Sequence, residues 1–189
     1  METDDGAAGR PAVSKPEKKP ATMLRTALEI VVIIAAAFAI AMVVQFFVVK
    51  PFTIHQVSME PTIVDGERVL VNRLVYDFHD PRRGDVVVFH PPFKGEDLVK
   101  RVVGLAGDRV EVKDGALFVN GARQTEPYLN EQTIQGIFPE TTVPVGDVFV
   151  MGDNRNNSLD SRVFGAVSTK AIVGRAFVIY WPISKWSGL

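Results

Sequence analysis

Val110-Glu111-Val112-Lys113-Asp114-Gly115-Ala116-Leu117-Phe118-Val119 reads as a β-hairpin. Val110 and Val112 alternate with charged residues, the pattern of a strand with one buried face. Asp114-Gly115 suits the tight turn because both of its positions favour positive φ. Outward from this hairpin the same texture recurs. Val69-Leu70-Val71, Asp85 to Phe89, Leu98 to Val103, Val148 to Met151 and Ile172 to Trp181 are short β-branched segments bounded by turn residues. None of the chain after Lys50 carries helical periodicity over a useful length. The expected fold over residues 50–189 is therefore mostly β, with coiled sheets or a barrel-like arrangement. Gln124 to Pro144, with few and scattered apolar residues, is expected to be an exposed loop or a small excursion from the sheet.

Ahead of this domain lies Ile30 to Val49, an apolar run interrupted only by Gln45. Such a run matches the ~20 helical residues needed to cross a ~30 Å hydrocarbon core. A transmembrane helix is expected over 28–49. A cleavable secretory leader is the competing reading, but its apolar part is only ~7–15 residues long and ends in a small-x-small site. Phe46-Phe47-Val48-Val49-Lys50-Pro51 offers no such site. Residues 1–27 mix Pro, Ala, Gly, Lys and acidic residues without periodicity and are expected to be a disordered tail. Lys15, Lys18, Lys19 and Arg25 precede the helix and Lys50 alone follows it, which places the tail in the cytoplasm and the domain over 50–189 outside.

Composition removes several classes of function. The net charge is −1 and the basic residues are scattered, so a nucleic-acid partner is not expected. The chain has no cysteine, which excludes thiol catalysis and cysteine-based zinc sites. Its three histidines are separated and form no His-Glu-x-x-His, so neither a metal nor another cofactor is expected.

Chemistry is sought in three stretches. The first is Ser58-Met59-Glu60-Pro61-Thr62, close beyond the apolar run. A serine hydroxyl needs a base within hydrogen-bond reach to act as a nucleophile near neutral pH. The second is Val99-Lys100-Arg101-Val102-Val103-Gly104, where a lysine sits inside an apolar strand. Burial there would favour its neutral form, while strand alternation would turn Arg101 the other way. The bland reading of Lys100 is a surface lysine with its stem laid on apolar neighbours. The third, Gly152-Asp153-Asn154-Arg155-Asn156-Asn157-Ser158-Leu159-Asp160-Ser161-Arg162, is dense in groups that pair with one another. It does not fit a calcium loop, because Arg155, Ser158 and Phe164 stand where a ligand, the turn glycine and the bidentate acid should be. His55 lies near Ser58, but three residues upstream in an extended segment it would point elsewhere, and it is the weaker base.

Taken in order behind a membrane anchor, Ser58-Met59-x-Pro61-Thr62, Gly84-Asp85-Val86-Val87-Val88-Phe89, Lys100 to Asp108 and Gly152 to Arg162 resemble bacterial type I signal peptidases. The resemblance implies a membrane-bound serine endopeptidase of coiled-sheet fold that frees exported preproteins from their leaders after small-x-small sites. It implies Ser58 as nucleophile, Lys100 as general base, and Ser158 as the hydroxyl that orients the lysine ammonium. Asp160 and Arg162 match the pair supporting the site, Asp153 and Arg155 belong to the same block, and Met59 falls in the segment lining the cleft. Preproteins and the lipid bilayer are the partners it implies. The short link from Lys100 to Gly152 suggests a compact member. Gln56 departs from the serine or glycine that many members carry two residues before the nucleophile, and is a candidate oxyanion donor through its amide. Ala106 replaces a proline common in the third block. Two other readings compete: a self-cleaving Ser-Lys repressor-type peptidase, disfavoured by the span and the lack of a DNA-binding region, and a membrane-tethered β-domain that binds peptides without cutting them.

Overall fold

The computed structural model describes residues 20–44, 48–131 and 133–189. The chain divides into two compact units, Met1–Met42 and Val43–Leu189. The first contains most of α1 (Pro20–Val43), whose Met23–Val43 stretch, with mean hydropathy 2.5, is long and apolar enough to cross a membrane. Pro20 sits at the first helical position, where its missing N–H costs no hydrogen bond. Met23, Leu24, Arg25 and Ala27 are strong helix formers, and Arg25 pairs with Glu29 one turn on at 3.2 Å.

The boundaries differ from those expected. The helix begins at Pro20, so 20–27 is not a disordered tail, and it ends at Val43. Val49 already belongs to β1 (Val49–Thr53), an edge strand that accommodates Pro51 because a proline there leaves no ladder bond broken inside the sheet. Residues 1–19 of the expected tail, and Gln45, Phe46 and Phe47 of the expected span, lie outside the described residues.

The second unit is mostly β. After β1 come β2 (Arg68–Asn72), a single helical turn α2 (Val75–Phe78), β3 (Val86–Phe89), β4 (Leu98–Gly104), β5 (Arg109–Lys113), β6 (Ala116–Val119), β7 (Ala122–Arg123), β8 (Phe138–Thr142), β9 (Asp147–Met151), α3 (Ser161–Phe164), β10 (Val167–Ser168), β11 (Ile172–Trp181) and β12 (Ser187–Gly188). The larger sheet runs β1-β2-β11-β3-β4-β9-β10 with β12 on β11, and the smaller runs β7-β6-β5-β8. Register shifts in β11, against both β2 and β3, coil the larger sheet into a half-barrel. The hairpin is found as read: Val112 opposes Leu117, and Asp114 and Gly115 take φ of 50° and 71°. The 124–144 excursion is partly ordered, since β8 pairs with β5. α2 and α3, of one turn each, are too short to show a period in the sequence.

Both faces of the central strands are buried. On one, Ile54, Met59, Ile63, Val86, Val88 and Val99 share a core cluster; on the other, Val87, Phe89, Val102, Val148 and Val150 form a second. This double burial explains why β3 reads as a continuous apolar run rather than an alternating one, and why the apolar residues of β4 flank Lys100 and Arg101 on both sides.

Gly174 marks the tightest packing in β11, where a Cβ would meet the Asn72 carbonyl and the Val71 side chain. Gly174→Ala is expected to lower stability by about 1–3 kcal/mol, measured by chemical unfolding of the detergent-solubilised chain.

Candidate active site

The site is assembled by strand order. β4 lies between β3 and β9, so Lys100 in mid-strand is next to the loop that leaves β9 at Gly152, fifty-two positions later in the chain. Ser58 arrives from the other direction, in a 3-10 turn over Val57–Met59 between β1 and β2. That turn is held at its base by Ile54 N–H donating to Glu67 O at 2.9 Å and Gly66 N–H donating to Ile54 O at 2.8 Å. From the far side, Asn154 donates its backbone N–H to Ser58 O at 3.0 Å and its side-chain amide to Val57 O at 3.1 Å.

Lys100 Nζ donates to Ser58 Oγ at 2.6 Å and to the Val99 carbonyl at 3.0 Å. Lys100 is 1% exposed and Ser58 7%. Burial lowers the lysine pKa from the ordinary 10.5 to about 8, with the charges of Asp160 and Asp153 acting the other way. With about a tenth of it neutral at pH 7, a lysine within hydrogen-bond reach of a hydroxyl is able to accept a proton from it.

Around the pair lies a framework of buried arginine–carboxylate forks. Asp160 accepts Gly152 N–H at 3.1 Å and is gripped by Arg162 at 2.9 and 2.8 Å. It also caps α3, accepting Arg162 N–H. Asp153 accepts both arms of Arg101, at 2.9 and 2.7 Å, and the Thr62 hydroxyl at 2.5 Å. Arg155 donates to Gly152 O at 2.9 Å and, in a second fork, to Glu126 at 3.0 and 2.8 Å. Tyr128 ties two of these together: its hydroxyl donates to Glu126 at 2.7 Å, and the Arg101 guanidinium lies 4.1 Å from its ring centroid. Gly152 is required where the pieces converge, because a Cβ there would collide with Ser158 Oγ and the Ser58 carbonyl.

The structure thus brings Ser58, Lys100, Asp153, Arg155, Ser158, Asp160 and Arg162 together. Three expectations change. Ser158 Oγ is buried and has no hydrogen-bond partner here; it sits by Gly152 and Ser58 rather than donating to or accepting from Lys100. Met59 is fully buried in the core cluster with Ile54 and Ile63, beneath the site rather than on a cleft wall. Gln56 donates its amide to the Asp97 carbonyl at 3.2 Å instead of presenting it beside Ser58. Arg101, Glu126 and Tyr128 were not anticipated. Arg101 adjoins Lys100 in the sequence and binds Asp153, one of the two carboxylates whose charge acts on Lys100; Glu126 and Tyr128 carry no signal in their own stretch.

The backbone beside Lys100 has an open edge. Val102 exchanges hydrogen bonds of 2.8 Å with Gly84 N–H and Asp85 O, on the β3 side. With a period of two, the backbone groups of Lys100 and Leu98 face β3 as well, and those of Asp97, Val99 and Arg101 face the opposite edge. β9 occupies that edge at Arg101, opposite Met151, and then turns into the Gly152 loop. Among the described residues no strand continues it over 97–99.

Comparison with known proteins gives the family. The family model described as "Signal peptidase, peptidase S26" matches residues 27–181. The chain belongs to that family. A signal peptidase IB of Staphylococcus aureus is 43% identical over 181 residues, covering 87% of this chain and 94% of its own. A probable signal peptidase I-1 of Synechocystis is 41% identical over 165 residues, covering 83% of this chain and 84% of its own. A crystal structure of a signal peptidase I from Enterococcus faecalis is 37% identical with a TM-score of 0.46, covering 51% of this chain and 96% of that one. As a member of the signal peptidase family, the chain is a serine peptidase, a hydrolase of peptide bonds.

In this signal peptidase Glu126→Ala leaves the Arg155 guanidinium, whose side chain is 0% exposed, without its carboxylate. An unpaired buried charge costs about 3–5 kcal/mol, so thermal unfolding is expected at a clearly lower temperature than in the parent, with Glu126→Gln intermediate.

Proposed function

We propose that this peptidase removes signal peptides from exported preproteins at the outer face of a membrane that α1 spans, with Ser58 as nucleophile and Lys100 as general base. The observation that carries the assignment is the 2.6 Å hydrogen bond from a buried, pKa-lowered lysine to the serine hydroxyl. Neutral Lys100 takes the Ser58 proton as Oγ bonds to the substrate carbonyl carbon. The carbonyl π electrons move to oxygen, and the Ser58 backbone N–H is positioned by its own turn to donate to that oxyanion. Collapse breaks the C–N bond, and Lys100 passes its proton to the departing amine, leaving an ester on Ser58. Water then attacks the ester with Lys100 again as base, releasing the free carboxylate and restoring the hydroxyl.

The substrate binds as an extended strand. The open edge at 97–99 beside Lys100 supports backbone pairing with the residues before the scissile bond. Small side chains at alternate positions suit a strand laid beside Val99, which with Ile54 and Met59 is already fully packed and leaves little room for larger ones. Asp153, Arg155, Asp160 and Arg162 hold the loop that carries Gly152 and Asn154 against the Ser58 turn. Ser158, within the same packing, is the hydroxyl closest to this junction that lacks a partner and is available to Lys100 after a side-chain rotation. The apolar length of α1 and the basic residues before it support a single pass with the N-terminus in the cytoplasm, which tethers the second unit to the membrane.

A purified preprotein incubated with the detergent-solubilised chain is expected to be cut after a small-x-small site. Ser58→Ala and Lys100→Met, folded as judged by circular dichroism, are expected to lose roughly four orders of magnitude in kcat/KM. Binding of the leader without turnover by the parent would instead support a tethered peptide-binding domain.

Protonated Lys100 cannot accept a proton, so activity is lost on the acid side. With the folded-state pKa lowered to about 8, kcat/KM is expected to fall about tenfold per pH unit below that value and to level off above it. A profile flat from pH ~5 to ~9 would falsify lysine as the base.

A further inference from the structure

We propose that Gln56 is an edge latch: its amide occupies the Asp97 carbonyl while the cleft is empty and is exchanged for a backbone N–H of the substrate strand when an extended peptide binds. The inference rests on the reading of 97–99 as the edge to which the substrate strand adds.

Both carbonyls directed at that edge are already engaged by side chains. Val99 O accepts from Lys100 Nζ at 3.0 Å and Asp97 O from Gln56 Nε2 at 3.2 Å. They lie two residues apart, and so about 6.8 Å apart along the strand, which is one repeat of the backbone ladder. Gln56 precedes the Ser58 turn in extended backbone, φ −141° and ψ 136°. Its side chain therefore crosses from the nucleophile's segment to the residue leading into β4, spanning the space a substrate backbone would enter. The Asp97 end of this bridge is itself fixed, because the Asp97 carboxylate lies 2.5 Å from His90 Nδ1. Gln56 is half-buried rather than locked in the core, and its amide makes a single contact with the main chain opposite, so it is free to be displaced.

The exchange is close to even in hydrogen bonds: one amide N–H leaves the Asp97 carbonyl and another replaces it. The consequence is a selectivity by length. A peptide that reaches Asp97 must displace the latch, whereas one that stops at Val99 leaves it closed. Shortening the side chain removes the competitor for the long peptide only.

The test uses the full chain in detergent with Ser58→Ala, so that binding is read without cleavage. Two synthetic peptides with the same small-x-small junction are compared by calorimetry or fluorescence anisotropy, one long enough to pair at Asp97 and one truncated to pair only at Val99. Adding Gln56→Ala is expected to tighten the long peptide about threefold to tenfold, the size of one net hydrogen bond, and to leave the short peptide within a factor of about two. Gln56→Glu, which cannot donate to the carbonyl, is expected to behave like Gln56→Ala. Equal tightening of both peptides, or no tightening of the long one, overturns the latch. Cleavage of the long peptide by the Ser58 parent, assayed alongside, reports on the peptidase reading separately: a parent that cuts while Gln56→Ala changes nothing rejects the latch alone.

Discussion

A lysine side chain held almost entirely out of water, in contact with a serine hydroxyl, is the constraint to which the rest of the second unit answers. Placing Lys100 in the middle of β4, between β3 and β9 with core clusters on both faces, makes the charged form costly and the neutral form accessible. A long flexible side chain on a loop would remain solvated and protonated. The strand also fixes the backbone from which the side chain starts, and the Val99 carbonyl and Ser58 hydroxyl fix where it ends.

Acidic residues near such a lysine work against it, since a carboxylate within a few ångströms favours the ammonium. The site contains two, Asp153 and Asp160, both almost fully buried. Each is forked by an arginine, Arg101 or Arg162, and the third fork, Arg155 with Glu126, is likewise charge-balanced. The three pairs therefore add rigid hydrogen-bonded structure without adding net charge beside Lys100. Replacing them by apolar packing would lose the multiple donors and acceptors that hold Gly152, Asn154 and the Ser58 turn in register. Buried pairs of this kind are a poor source of stability but a good source of fixed geometry once every arm is satisfied.

The parts of this arrangement that were legible in the sequence are those whose signal is local. Alternation and turn chemistry reveal β5 and β6 at 109–119, an uninterrupted apolar run reveals β3, and β-branched residues on both sides of Lys100 and Arg101 reveal β4. Block order reveals Ser58, Lys100 and the 152–162 loop, because each block keeps its internal spacing whatever lies between. Partners that meet only through folding leave no such mark. Glu126 and Tyr128 come from a stretch poor in apolar residues, and nothing in that stretch indicates that its tyrosine underlies Arg101, next to Lys100. Alternation gave no sign that Arg101 is itself buried, in a fork with Asp153. Helix limits were shifted for a related reason: hydropathy marks the residues that suit a membrane, whereas the helix extends over residues that merely favour the conformation and stops ahead of Pro51.

Exposed strand edges invite unwanted pairing, and proteins generally keep them short, bent or covered. The edge beside Lys100 is short because β9 leaves it at Met151, and β9 leaves because Gly152 begins the loop that positions Ser58. The geometry that supports the Ser58 turn thus also leaves the edge over 97–99 unpaired by any strand among the described residues. Its two outward carbonyls are not left bare: Lys100 takes one and Gln56, from the segment that carries Ser58, takes the other. An edge capped by groups that can move aside for a peptide strand is protected against irreversible association while remaining available to a substrate that presents an extended backbone. Protection of the edge and its accessibility are then set by the same two side-chain contacts.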